Sequence, residues 1–101
     1  MMAGLRSEPQ TPMLLAPANA ATSVYDPAEL VWSPAEGADS YRVQLASDPS
    51  FLNLLLDTDT VRSTSIRVSD LGRSRRFYWR VQACGAEGCS RWSEFWNFET
   101  A

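Results

Sequence analysis

The sequence contains no histidine and no lysine, and these absences exclude several kinds of site. Histidine is the commonest general base and metal ligand, and lysine supplies the amine of Schiff-base catalysis. The serine residues therefore have no histidine partner that could activate them as nucleophiles. We expect no catalytic residue, no metal site and no cofactor in this chain.

Long apolar runs and an excess of one charge are also missing. No segment approaches the roughly 18–20 apolar residues that span a bilayer. The net charge of −3, spread along the chain, gives no basic surface for nucleic acid or anionic lipid. Residues 12–23 resemble a signal peptide, but Pro17 interrupts their apolar stretch, so we interpret them as a first edge strand. We therefore expect no nucleic-acid partner and no membrane insertion.

The length and composition predict one folded domain. A chain of 101 residues buries enough surface for a single core, and a hydrophobic content of 45% argues against disorder. Residues 1–10 have the composition of a flexible linker, and we place the domain at 11–101. Pro12 and Pro17 disfavour pairing of the first edge strand with a second copy of the chain, so we expect a monomer.

Alternating apolar and polar residues predict β-strands separated by turns, and no helix. The clearest strands span 40–46 and 76–84, and others are predicted at 29–33, 52–61, 64–71 and 95–100. The consecutive leucines in 52–61 fit helix or strand by pattern alone, and their flanking Thr and Asp residues favour a short strand. Asp48 and Pro49 predict a turn at 47–51.

Several segments carry a resemblance to a known family. Together with Leu71, they are LVWSPAEGADSYRVQLASDPSF, FYWRVQA, SRWS and WNFET. They resemble the fibronectin type III domain, especially the tandem modules of secreted bacterial proteins, and the resemblance runs over residues 12–100. It places Trp32, Tyr41 and Leu71 where the family has core residues. It implies an all-β, immunoglobulin-like, seven-stranded antiparallel β-sandwich with Greek-key connections, in which a three-stranded sheet packs on a four-stranded one.

One position departs from the family pattern. The family usually has a tyrosine six residues after the leucine, and its hydroxyl bonds back across a corner of the fold. Phe77 stands at that position here, and the tyrosine is displaced to Tyr78 on the opposite strand face. We therefore expect the corner hydrogen bond to be absent or replaced.

The chain has one pair of cysteines, Cys84 and Cys89, on either side of the four residues GAEG. In a hairpin with such a loop, the facing residues lie about 4.5–5.5 Å apart between Cα atoms, within reach of a disulfide. Metal binding needs further Cys or His ligands, and redox pairs usually have the CxxC spacing. A structural disulfide is the favoured interpretation and two free thiols are the alternative. A disulfide implies an oxidising compartment, so we expect a secreted or cell-surface protein.

Aromatic and arginine residues near the cysteines form a candidate site. The segment RWSEFW partly resembles the WSxWS stretch of cytokine-receptor fibronectin domains, in which tryptophan rings stack with arginines of the neighbouring strand. These residues either cover the sheet as an Arg–Trp stack or form an open binding patch rich in interface residue types. The candidate residues are Tyr78, Arg80, Trp92, Trp96 and Arg42.

Two functional hypotheses follow. The first is a non-catalytic extracellular spacer or presentation module of a larger multidomain protein, whose partners are the neighbouring domains of the same chain. The alternative is a protein- or carbohydrate-binding module that uses the Trp-rich sheet face or the hairpin loops. An enzyme is a distant third, because carboxylates such as Asp57 and Asp59 fit a solvated strand face and a small sandwich offers no obvious cleft.

Overall fold

The computed structural model describes residues 8–101 and contains nine β-strands and no helix in that range. The strands are β1 (Leu14–Ala16), β2 (Ala21–Val24), β3 (Ala28–Trp32), β4 (Ser40–Ala46), β5 (Leu54–Val61), β6 (Ser65–Val68), β7 (Arg76–Gly85), β8 (Gly88–Cys89) and β9 (Trp96–Thr100). The all-β prediction is confirmed. Residues 8–101 hold no helix with the length and apolar character that crossing a membrane requires.

The strands form two sheets that pack as a sandwich. One has the order β1-β3-β6, and the other has the order β2-β9-β7-β4-β5, with β8 paired to β7. The pairings are antiparallel except for β2, which runs parallel to β9. The family resemblance implies the three-stranded sheet and the four antiparallel strands β9-β7-β4-β5 of the second sheet.

Two details of the predicted strands are corrected. The single edge strand expected at 12–23 is two strands, β1 in one sheet and β2 in the other. Pro17 lies between them and has no N–H to donate to a ladder, so the chain leaves the first sheet there and crosses to the second. The short strand β8, which closes the cysteine hairpin, also adds to the expected seven.

The core lies between the sheets and follows the alternation of the sequence. In β7, Phe77, Trp79, Val81 and Ala83 are buried, while the residues between them are only partly buried. Trp79 packs 6.5 Å from Trp32 between ring centroids. The same alternation buries residues of β1, β3, β4, β6 and β9, namely Leu14, Leu30, Tyr41, Val43, Leu45, Val68 and Phe98.

The two ends of the sandwich differ in which loops they carry. Ser40 pairs with Cys84, and Ala46 pairs with Tyr78 at the other end of the same strands. We call the end with residues 35–39 and 84–89 the hairpin pole. The C-terminal pole holds residues 25–26, 47–53, 69–75 and the last residue, Ala101.

The N-terminal residues that the structure describes pack at the hairpin pole. The predicted linker covers residues 1–10, of which 1–7 lie outside the described residues. Pro9 is buried, and the backbone N–H of Gln10 donates to the carbonyl of Glu36 at 3.1 Å. Gly37 and Gly85 approach Pro9 closely enough that a Cβ on either would contact it.

The corner of the fold uses a carboxylate where the family uses a tyrosine hydroxyl. Phe77 is fully buried and packs on Phe98, with ring centroids 5.8 Å apart. The carboxylate of Asp26 accepts hydrogen bonds from the backbone N–H groups of Asp70 at 3.1 Å and Leu71 at 2.8 Å. This side chain therefore joins the loop before β3 to the loop before β7.

Candidate functional site

The candidate site lies on the outer face of the second sheet. Gln44 in β4 is directly opposite Arg80 in β7, and Arg42 lies one outward position further along β4. These side chains point away from the core because their neighbours Val43 and Trp79 point into it. Tyr78 is on the same outer face, two residues before Arg80.

Residues 90–95 cross this face without being a regular strand. The hydroxyls of Ser90 and Ser93 each accept a 3.0 Å hydrogen bond, from the N–H groups of Ala83 and Val81. The backbone N–H groups of the same two serines donate to the carbonyls of Ala83 and Val81 at 2.7 and 2.9 Å. The three-residue spacing of the serines matches the period of a polyproline II helix. The two serines therefore anchor the segment to β7 on either side of Trp92.

Trp92 and Arg80 are the centre of a stack of alternating guanidinium groups and rings. The Arg80 guanidinium lies 4.3 Å from the centroid of the Trp92 ring and 4.2 Å from that of Phe51. Arg42 lies 5.6 Å from the Trp92 ring. Phe95 contacts Phe51 and Tyr78 edge-on, at 5.9 and 6.0 Å between centroids. We call this set the Arg–aromatic stack: Arg42, Trp92, Arg80, Phe51, Phe95 and Tyr78.

Polar partners hold the two arginines in place. The Arg80 Nε donates to Gln44 Oε1 at 2.9 Å, and Gln44 is itself buried. Burial lowers the pKa of Arg80, and the neighbouring charge of Arg42 lowers it further. Arg42 forms a bidentate pair with Asp57, with both N–O distances 2.9 Å. That pair raises the pKa of Arg42 and lowers the pKa of the Asp57 carboxyl.

The structure brings together four of the five residues that the sequence singles out. Arg42, Tyr78, Arg80 and Trp92 all belong to the Arg–aromatic stack. Trp96 does not belong to it. This residue lies opposite Trp79 in the neighbouring strand, so its side chain is on the inner face of the sheet and packs against the core. Its position follows from strand parity, since Trp96 and the buried Phe98 are two residues apart.

Three residues of the site are missing from the sequence-based set: Phe51, Phe95 and Gln44. Phe51 reaches the stack because the turn before it curls back. The Asp48 carboxylate accepts hydrogen bonds from the N–H groups of Ser50, Leu52 and Asn53, as its predicted role in this turn requires. The available signal was an aspartate followed by an aromatic residue at the end of a strand. This signal predicts the turn but not the residues that the aromatic ring contacts.

The disulfide fixes the start of the segment that carries Trp92. Cys84 and Cys89 are bonded, with their Cα atoms 4.0 Å apart, and residues 8–101 hold no free cysteine. Closing a loop this small stabilises the fold by about 2 kcal/mol on the chain-entropy model. Because Ser90 follows Cys89 directly, the disulfide also restrains the first anchor of residues 90–95.

The Arg42–Asp57 pair predicts a pH-dependent contribution to stability. The pKa of Asp57 is lower in the folded chain than the value of about 3.9 expected for an unfolded one. The pair therefore stabilises the fold above about pH 4, and this contribution disappears as the pH falls through the lower, folded-state pKa. In urea unfolding between pH 7 and 2, we expect Asp57→Asn to be less stable than the wild type at pH 7 and to converge with it at the acid end.

The control for that series is Glu87→Gln, which removes one carboxylate at the exposed tip of the hairpin. We expect its stability to follow the wild-type curve over the whole range. A constant difference between wild type and Asp57→Asn down to pH 2 would show that the charge of Asp57 contributes nothing to folding.

In residues 8–101, no set of three or more Cys, Asp or Glu residues could hold a metal ion. The carboxylate that pairs with the stack is that of Asp57, and both of its oxygens accept from Arg42. What the stack provides is a layer of rings and cations covering an otherwise open sheet face.

Comparison with known proteins gives one family and a set of related folds. Residues 31–101 match the model of a family described as the Rha78A-like, N-terminal immunoglobulin domain. A search of curated protein sequences found no match. Similar solved structures include an Fn3-like protein from Clostridium thermocellum, 18% identical, with a TM-score of 0.67 and coverage of 94% of this chain and 93% of that one.

Two further structures differ in how much of them the chain covers. A fibronectin type III domain of human fibronectin type III domain containing protein 3 is 24% identical, with a TM-score of 0.67, and covers 99% of this chain and 93% of its own. The α-L-rhamnosidase of Streptomyces avermitilis, solved with L-rhamnose, is 23% identical, with a TM-score of 0.66. That match covers 93% of this chain but 10% of the rhamnosidase.

Proposed function

Because this chain belongs to the family of Rha78A-like, N-terminal immunoglobulin domains, we propose that it is a non-catalytic module that spaces and presents the neighbouring domains of a larger extracellular protein. The fibronectin type III resemblance of the sequence is confirmed by the solved structures that share its fold. That fold serves many functions, so the proposal rests on the site.

The observation that carries the proposal is the closed state of the Arg–aromatic stack. Two guanidinium groups lie against Trp92, and Phe51 is buried beneath Arg80. A sugar ring or a partner side chain would need an open aromatic face of its own. The stack instead joins residues 90–95 and the turn at 47–53 to the sheet, which stiffens the module between its two poles.

In this proposal, the larger protein that contains the module cleaves glycosides. The family takes its name from a rhamnosidase-like context. The chain also matches a segment that makes up 10% of an α-L-rhamnosidase chain. The disulfide between Cys84 and Cys89 supports a secreted or cell-surface location, because such bonds persist in oxidising compartments. The module would then hold a catalytic domain at a set distance without taking part in its chemistry.

The second candidate function is binding of a carbohydrate or a protein through the same face. Phe95 is 46% exposed and lies at the edge of the stack beside Tyr78. A ligand could contact this edge even though the rings below it are covered. The two functions differ in the role of the stack, which binds a ligand in one and stabilises the fold in the other.

The deciding experiment is calorimetric titration of the isolated chain with L-rhamnose and a rhamnose-containing oligosaccharide, together with a glycan array and thermal melts. We expect no saturable binding by the wild type. Trp92→Ala removes the ring between two arginines and is expected to lower the melting temperature by about 5–10 °C.

The matched control is Tyr25→Ala, which removes an aromatic ring that is 80% exposed and lies outside the stack. Its melting temperature should equal that of the wild type. If the wild type binds a sugar and Trp92→Ala abolishes binding without changing the melting temperature, the module is a carbohydrate-binding domain and the spacer proposal is wrong.

A further inference from the structure

Large exposed apolar side chains are unevenly divided between the two poles. Tyr25 and Leu52, in separate loops of the C-terminal pole, are 80% and 81% exposed. Leu54 and Leu55, at the start of β5, are 41% and 49% exposed. The exposed residues of the hairpin pole at 36–39 and 86–88 are instead small or charged, and the large exposed apolar side chain near that end is Met13, beside Ser33. Exposed apolar residues concentrated at one end of a domain are typical of an interaction surface.

The same pole holds the end of the chain in a fixed position. The N–H of Ala101 donates to the carbonyl of Val24 at 2.9 Å, and its carbonyl accepts from the N–H of Ser74 at 3.1 Å. A polypeptide that continues past Ala101 therefore leaves the domain between these two loops. Beside that point lies an open hollow of about 500 Å³, lined among others by Tyr25 and Arg73.

One basic and one acidic side chain, Arg73 and Asp26, line the hollow. Arg73 is exposed and forms no ion pair with any residue of 8–101. The nearest carboxylate in the lining, Asp26, already accepts two backbone hydrogen bonds, from Asp70 and Leu71. The hollow thus presents the Tyr25 ring and the cation of Arg73, while the one acidic side chain in its lining, Asp26, is bonded to the backbone and not to Arg73.

We propose that the C-terminal pole is the docking surface for the domain that follows Ala101 in the longer polypeptide. The face that fits this pole has an apolar centre, which covers Tyr25 and Leu52, and a carboxylate that pairs with Arg73. Inter-domain contacts of this kind bury about 600–1,500 Å² and fix domain orientation only when they are largely apolar. This inference rests on the proposed function as a spacer and names the surface through which the module would set the position of its neighbour.

The test is hydrogen exchange on two proteins, the isolated chain and the longer polypeptide that contains the next domain. We expect amides in 24–26, 51–55 and 72–74 to exchange about tenfold more slowly in the longer protein. Amides at the hairpin pole, in 35–39 and 85–88, should exchange at the same rate in both. Equal exchange of the C-terminal pole in the two proteins would overturn the inference.

Two variants of the longer polypeptide separate docking from other causes of protection. The double substitution Tyr25→Ser and Leu52→Ser should return the pole to the exchange rates of the isolated chain. Met13→Ser, which removes a side chain 68% exposed near Ser33 and away from this pole, should not. Both replace exposed apolar groups, so neither should unfold the module.

The remaining outcomes also decide the matter. If the pole of the isolated chain becomes protected as its concentration rises, a second copy occupies the surface and the inference is wrong. Binding of a sugar at Trp92 would overturn the spacer function without changing exchange at the pole. Equal exchange at the pole without sugar binding would overturn the docking surface and leave the spacer function standing.

Discussion

Replacing Trp79 with alanine is expected to lower the free energy of unfolding by about 3–5 kcal/mol, the range measured for large aromatic residues in protein cores. Trp79 is fully buried and lies between Trp32 and the strand β9. Small domains have a total stability of about 5–15 kcal/mol, so this loss removes much of the margin. Urea unfolding followed by circular dichroism measures it, with a lower midpoint and an unchanged slope as the expected result.

The matched variant is Trp79→Phe, because the indole N–H of Trp79 is buried with no hydrogen-bond acceptor among the described residues. Phenylalanine keeps most of the ring and removes this unpaired donor, which offsets part of the lost packing. We expect a cost of about 1–2 kcal/mol. If the alanine and phenylalanine variants lose equal stability, the indole N–H has a partner in solution and the cavity argument for alanine fails.

The strands of the sandwich could be predicted because their sequence alternates with period two. In 40–46 and 76–84, every second residue is apolar, and the structure buries those faces as expected. The turn at 47–51 was predictable for a different reason, since Asp48 can bond to the backbone that follows it. Local rules of this kind act within a few residues, so they can be inferred from a single sequence.

The contacts between distant segments could not be predicted in the same way. The parallel pairing of β2 with β9 joins residues 21–24 to 98–100, and nothing in either segment specifies the other. The partial resemblance of RWSEFW to the WSxWS stretch puts Trp96 in the candidate site, whereas its face is set by the strand that begins there. Phe51 reaches Arg80 through the turn and not through the sheet register. Each of these depends on how two elements pack, which a pattern within one element does not encode.

The Arg–aromatic stack gives the module its second apolar layer. The core lies between the two sheets, and the stack covers the outer face of one of them with Trp92, Phe51 and Phe95. The arginines make that layer compatible with water, because their guanidinium groups lie on the rings while their N–H groups donate to Gln44 and Asp57. We expect a sheet covered on both faces to resist bending, which is the property that the proposed spacer function requires.

Arg80→Ala is expected to cost about 2–3 kcal/mol of unfolding free energy, since two ring contacts and one hydrogen bond are lost together. The guanidinium contacts two rings, each contact contributing about 0.5–1 kcal/mol or more when shielded from water. Its Nε also satisfies Gln44 Oε1, and an acceptor left unpaired at a buried site costs about 1–3 kcal/mol. Urea unfolding gives the loss, and near-ultraviolet circular dichroism reports the loosening of Trp92.

Two control variants show whether the geometry of the guanidinium matters or only its charge. Arg80→Lys keeps the charge and the stem but lacks the planar group that lies between Trp92 and Phe51, so about half of the loss should remain. Arg91→Ala removes an exposed arginine from the same segment and should change stability by less than about 0.5 kcal/mol. If Arg80→Lys is as stable as the wild type, a simple charge is sufficient on this face. The planar stack would then contribute nothing to the stiffness on which the proposed spacer function depends.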